Sequence, residues 1–207
     1  AWAAKKFKNP KHAKAFTAWF GDSKAVDENG HPLVVYHGTG SDFTTFEQGT
    51  AIRTGERRET TSDSKKGFYF TTNSDQANEW SWKDGEFTGI TMPVYLQIDK
   101  LYDAGEYGKD FHGKVIDWYD PRVNNAAIDK AKEGGYTGVL FRNVSILGDP
   151  PGDHYVVFNS TQIKSSTGNR GAFDPDNPDI RMSWTAYDGP RGGRGWQNSE
   201  TGEVAYQ

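Results

Sequence analysis

Two short glycine-bearing strand ends constrain this chain more than anything else in it: VVYHGTG (Val34 to Gly40) and GFYFTT (Gly67 to Thr72). Each ends a β-branched or aromatic run on residues able to touch a ligand, and the glycine beside them lets a bound group come up to the backbone. They place His37 and Tyr69 at the edge of a small β-rich fold. The arrangement suits a planar amide better than a phosphate.

Along the chain, PKHAKAFTAWF (Pro10 to Phe20) sets Ala13, Phe16 and Phe20 on one helical stripe behind an initiating proline, and Gly21 and Asp22 stop it. Lys24 to Tyr36 reads as a hairpin turning on Asp27 to Gly30, and its second strand, Pro32 to Tyr36, delivers His37 to its end. The polar stretch from Ser41 to Lys66 is loop chemistry of functional length. Gly67 to Thr72 is a short buried strand, and the helix after it runs from Asn73 to Trp82 with Asn73 or Ser74 as its cap. Further strands follow at Pro93 to Ile98, Tyr136 to Phe141 and Tyr155 to Phe158, the last core strand, with a helix at Asn124 to Glu133 closed by Gly134 and Gly135. Asp99 to Trp118 carries no clear signal. Strands with interspersed helices and non-local pairing point to an α+β domain, not a regular βαβ alternation.

With 207 residues, 34% hydrophobic and of mean hydropathy −0.82, the chain suffices for one domain and a small appendage but not for two full cores. Rings make up for scarce aliphatics, with 7 Trp, 10 Tyr and 12 Phe, and some remain available for stacking. A net charge of −4 argues against an electrostatic nucleic-acid binder. The absence of cysteine excludes disulfides, thiolate catalysis and zinc–thiolate sites. No long apolar run or signal-peptide pattern is visible, and a start at Ala1 suggests a domain cut from something longer. Residues 1–167 read as the main unit, 168–190 as an extended wrap or linker, and 191–207 as a hairpin tail turning on Ser199 to Gly202.

The two strand ends resemble the first two motifs of the ADP-ribosyltransferases of the His-Tyr-Glu type, above all the branch found in polyvalent proteins of phages and mobile elements. AWFGDSKAVDENGHPLVVYHGT (Ala18 to Thr39) and HYVVFNSTQIKSSTGNRGAFDPDNPDI (His154 to Ile180) carry that likeness, which spans roughly residues 10 to 180 with its motifs in order. The resemblance implies a split β-sandwich of two small sheets with flanking helices, and a cleft for NAD between them. NAD would be a substrate, and no metal is needed.

The resemblance also assigns roles. His37 would bond the nicotinamide-ribose hydroxyl, and the Gly38 backbone would pair with the carboxamide, with Tyr36 and Thr39 beside them. Tyr69, followed by Phe70, would lie under the nicotinamide ring, and Trp80 in ANEW (Ala77 to Trp80) would cover it. Ala77 stands where the family often has a small hydroxyl residue, so one carboxamide bond is in doubt. Read alone, His37 is a strand-capping histidine and Tyr69 a core aromatic; their company favours the ligand. In the basic loop, Arg53 could meet the NAD pyrophosphate, or the loop could be solvated surface. A Rossmann-type glycine signature is absent.

At the third motif the chain departs from the pattern. Aligning HYVVFNSTQI (His154 to Ile163) with the family's Glu-Tyr-Ile strand puts His154 at the glutamate. Asp153 could supply the carboxylate instead, His154 could bond a ribose hydroxyl itself, or Gln162 could substitute from the next turn. A neutral imidazole accepts a hydrogen bond but brings no negative charge. In the family, loss of that carboxylate goes with transfer of a single ADP-ribose.

The resemblance thus implies a mono-ADP-ribosyltransferase acting on a macromolecule, protein before nucleic acid, with no membrane, as a monomer or part of a polyprotein. Its setting would be a phage or mobile-element effector, or toxin, in bacterial cytoplasm. An NAD glycohydrolase or a non-catalytic NAD- or ADP-ribose-binding module would use the same pocket. Ser145 to Asp153 would face the acceptor, and the Arg-Gly-Gly-Arg tail could touch nucleic acid or simply be flexible.

Overall fold

The computed structural model describes residues 2–48, 50–53, 56–59, 66–81, 89–106, 121–145, 150–169, 173–181, 184–188, 194–198 and 204–206. Two helices open the chain, α1 (Trp2–Lys6) and α2 (Pro10–Phe20). The Asn9 side chain caps α2 by accepting the Lys11 N–H, Pro10 occupies its first turn, and Gly21 at φ 52° ends it. Its apolar stripe, Phe16, Trp19 and Phe20, packs with Phe7, Tyr95 and Phe173.

Strand β1 (Val35–Thr39) follows a turn in which Asp27 accepts the Asn29 and His31 N–H groups and Val26 bridges to Pro32. The expected hairpin is short, the Val26–Pro32 bridge flanked by backbone bonds from Asp27 N–H to His31 and from Leu33 N–H to Ala25, and His37 lies inside a strand instead of at its end. Within the stretch read as loop, β2 (Thr50–Arg53) and β3 (Glu56–Glu59) form a two-stranded ladder. Strand β4 (Phe68–Thr71) leads to α3 (Ser74–Glu79), capped by Asn73 as expected, which stops at Trp80 before the expected Trp82.

The remaining strands are β5 (Ile90–Leu96), β6 (Leu101–Glu106), β7 (Gly138–Val144), β8 (Gly152–Val157) and β9 (Ile163–Ser165). Helix α4 (Pro121–Glu133) carries the chain from β6 to its parallel neighbour β7, a crossover that a hairpin cannot make. Strand β9 is wholly buried, so Tyr155 to Phe158 is not the last core strand. Strand β10 (Trp184–Asp188), in the stretch read as linker, pairs with β11 (Arg194–Asn198), which forms the expected tail hairpin with β12 (Val204–Tyr206).

The seven main strands run β6-β7-β8-β4-β1-β5-β9, giving the α+β arrangement expected. β1 joins β4 at one register pair, Tyr36 with Thr71, whereas β1 and β5 share five pairs. The sheet is thus two smaller sheets, β6-β7-β8-β4 and β1-β5-β9, hinged at that pair. One face carries Val35, Phe68, Phe70, Val94, Tyr155 and Ile180 in a core closed by Phe46. On the other, α4 packs Ile128 and Ala131 on Val139, Phe141 and Val156.

Candidate functional site

Among the described residues, the ladder between the two half-sheets stops at one point. The Pro93 carbonyl accepts the Ser166 N–H at 3.0 Å, so Pro93 directs its backbone away from β1. Backbone direction alternates along a strand, so Tyr36, opposite Pro93, turns its N–H and C=O toward β4, and Gly38 does the same. In register Gly38 would oppose Tyr69, but pairing ends at Tyr36 and Thr71. The Gly38 donor and acceptor therefore face an open seam at the level of Tyr69.

Helix α3 roofs this seam. A Cβ on Gly38 would stand 1.7 Å from the Ala77 carbonyl oxygen and 2.9 Å from the Trp80 Cβ, so no side chain fits. Ala77 is buried, and the Trp80 ring, at the helix end, is 52% exposed. An exposed indole beside an unpaired peptide edge is a surface on which a planar amide can stack and hydrogen-bond at once.

His37 lies on the opposite sheet face and reaches across the junction. Its Nδ1 is 2.9 Å from the Tyr69 carbonyl, which can only accept, so the proton of the neutral ring sits on Nδ1 and Nε2 carries a lone pair. Phe46, Phe70 and Phe43 surround the ring at centroid distances of 4.9, 5.6 and 6.2 Å. Burial pushes the imidazole below its ordinary pKa, against the opposing pull of the Tyr69 carbonyl, so it is neutral near pH 7.

The other expected site residues divide. Tyr36 is half-buried at the hinge, Thr39 is buried with its hydroxyl 3.3 Å from the Ser41 carbonyl, and Tyr69 packs against the α4 cluster. Phe70 is 2% exposed within the core, so it supports the His37 ring and cannot line a ligand pocket. The Arg53 side chain and most of the basic loop lie outside the described residues, as do residues 146–149 of the expected acceptor loop.

At the third motif the three candidates have different surroundings. His154 is buried on β8 beneath α3, with Nε2 2.9 Å from the Gln76 Oε1. Gln76 donates its amide N–H groups to the Val144 and Pro150 carbonyls, so its oxygen accepts, both from His154 and from the Thr71 hydroxyl. Burial lowers the His154 pKa to about 4. Asp153 turns to β7, where its carboxylate accepts the Asn143 N–H at 2.9 Å and faces Arg142 at 3.9 Å. Asn143 has φ 55° in the β7 irregularity, so this carboxylate stabilises a strained turn.

Gln162 leaves the set of candidates. Its oxygen accepts the Phe158 and Asn159 N–H groups, and its nitrogen donates to the Gln97 and Thr137 carbonyls. Every hydrogen-bonding position of the amide is filled, so it braces a turn and has none left for ribose.

Sequence reasoning missed Gln76 and Lys164. Gln76 is fully buried in a short helix whose neighbours are polar, and nothing in SDQANE separates it from a solvated residue. Lys164 is 1% exposed, its ammonium donating to the Asn177 and Asp179 carbonyls, and burial lowers its pKa to about 8 against the pull of Asp174 and Asp179. A concavity of about 490 Å³ lies along the outer edge of β5, lined by Thr91, Pro93, Ser165 and Arg181. It is on the far side of β5 from the seam.

Residues 27–173 match the family described as ADP-ribosyltransferase in polyvalent proteins. The chain belongs to that family. No curated protein matches it. The matched stretch holds β1, β4, α3 and β8, so the ADP-ribosyltransferase domain includes the whole seam. Such a domain acts as a transferase, and ADP-ribosyltransferases use NAD as substrate. Among the described residues no helix is long and apolar enough to cross a membrane, and no group of three or more His, Asp or Glu is placed to hold a metal ion.

Proposed function

We propose that this ADP-ribosyltransferase domain cleaves the nicotinamide–ribose bond of NAD and transfers one ADP-ribose to a macromolecular acceptor, a protein before a nucleic acid. The observation that carries the reading is the unpaired Gly38 backbone beneath the exposed Trp80. The carboxamide would pair with the Gly38 N–H and C=O, the ring would lie between Tyr69 and Trp80, and a ribose hydroxyl would donate to Nε2 of His37. In the transfer, the ribose carbon–nitrogen bond breaks with its electron pair going to nicotinamide, and an acceptor oxygen or nitrogen bonds to the same carbon and gives up its proton.

His154 in place of the family glutamate supports single transfer over chain growth, since no carboxylate stands there to activate a ribose hydroxyl. On this reading the bound ring and the His37 contact orient the bond, and leaving-group departure carries most of the charge change. Water as acceptor would make the same site an NAD glycohydrolase. The neutral, hydrogen-bonded His154 favours a second reading, a module that binds NAD or ADP-ribose without cleaving it. The effector setting, the host cytoplasm and Arg53 on the pyrophosphate belong to the first reading.

Isotopically labelled NAD incubated with the full chain, with and without bacterial lysate, distinguishes these outcomes. Label on macromolecules is expected. Free ADP-ribose alone would assign the glycohydrolase, and intact NAD the binding module.

A further inference from the structure

The segment 173–181 closes over the face of the sheet that holds His37. The Ile180 N–H donates to the Thr44 carbonyl at 2.8 Å, and Asp179 bridges to Thr45. The Arg181 guanidinium takes the Asp42 carboxylate with two nitrogens, one at 2.7 Å. Ile180 is buried in the same core cluster as Phe46. From below, the Ser165 N–H donates to the Ile180 carbonyl at 2.9 Å, and the buried Lys164 ammonium holds the carbonyls of Asn177 and Asp179.

The loop so gripped, 42–46, carries two of the three rings around His37. Phe43 and Phe46 meet edge to face at 4.8 Å, and Phe46 meets the imidazole at 4.9 Å. The imidazole is thus held by a carbonyl on one side and by rings whose backbone is fastened to the strap.

We propose that the strap 173–181 is a positioning device for His37, with Arg181 and Asp42 as its latch. This rests on the proposed use of His37 in binding NAD. Opening the latch lets the Phe43–Phe46 loop lift, admits water to the imidazole and loosens the ring, while the sheet and its main cores stay intact. The latch side chains are a third to a half exposed, so exchanging them leaves the fold in place.

The test follows the imidazole nitrogens of the full chain by NMR against pH in wild type, Arg181→Gln, Asp42→Asn and the exchanged pair Asp42→Arg with Arg181→Asp. His37→Gln assigns the signal. In wild type His37 titrates below the ordinary imidazole value. In both single variants its midpoint is expected to rise toward the ordinary imidazole value, and kcat/KM for nicotinamide release to fall about tenfold, less than the roughly 10²-fold that a misplacement of about 1 Å can cost. The exchanged pair is expected to restore much of both. An unmoved His37 midpoint in both single variants overturns the latch. A moved midpoint in a protein that cleaves no NAD upholds the latch and removes the proposed activity.

Discussion

Nε2 of His154 donates to Oε1 of Gln76 across 2.9 Å, tying the third-motif strand to the helix whose end carries Trp80. His154 thus works from beneath α3, the roof of the seam. With Thr71 bonded to the same oxygen, three polar side chains, each 4% exposed or less, satisfy one another in the fold.

That burial makes stability depend on pH. The His154 pKa is about 4 when folded against 6.5 in the ordinary state, so the unfolded chain takes up the proton first as pH falls. Stability present above pH 6.5 is lost down to about pH 4, by about 3 kcal/mol. His37, also depressed, acts in the same direction. Asp42 and Asp103, held below 3.8 by Arg181 and Arg142, act only at lower pH. Urea midpoints at pH 7 and 4.5 should differ much less in His154→Gln than in wild type; an equal loss in both would remove His154 as the source.

Trp80→Ala should weaken NAD binding by about 1–3 kcal/mol, the value of one aromatic stacking surface. Because the ring is 52% exposed, the melting temperature should scarcely change. Calorimetry with NAD decides it, and unchanged affinity in both Trp80→Ala and Tyr69→Ala would dismiss the pocket.

Gln162→Ala and Asp153→Asn should separate bracing from catalysis. The first strands two part-buried N–H groups and two carbonyls, costing about 1–3 kcal/mol of stability. The second leaves the fold nearly as stable and, with its carboxylate engaged on β7, should change nicotinamide release little. A drop of about 10²–10³ in rate at saturating NAD for Asp153→Asn would instead make Asp153 the missing carboxylate.

The tail should be dispensable for NAD cleavage. β10, β11 and β12 form a sheet of their own, so a cut at Gly189 would split it and one after Met182 removes it whole. The chain ending at Met182 keeps the strap and is expected to release nicotinamide at the wild-type rate. Loss of release in a folded truncated protein would put the tail in the active site.

Much of this was legible in the residues. VVYHGT and GFYFTT announce two strands with a histidine and a tyrosine, because these signals are local. The Asn73 cap was readable for the same reason. Boundaries drifted where pairing decides them: β9 is three residues long and is a strand because β5 pairs with it.

What the sequence by itself determined is the order of the motifs, the glycine at position 38 and the absence of a glutamate at 154. Only the tertiary structure decided what those residues meet. Gly38 must be glycine because the Ala77 carbonyl lies over it, Gln162 is spent because four backbone groups from three segments converge on it, and His154 is neutral because the fold buries it. These are contacts between residues far apart in the chain, and a hydrogen-bonding group shows its capacity in the sequence but its partners only once the backbone has brought them together.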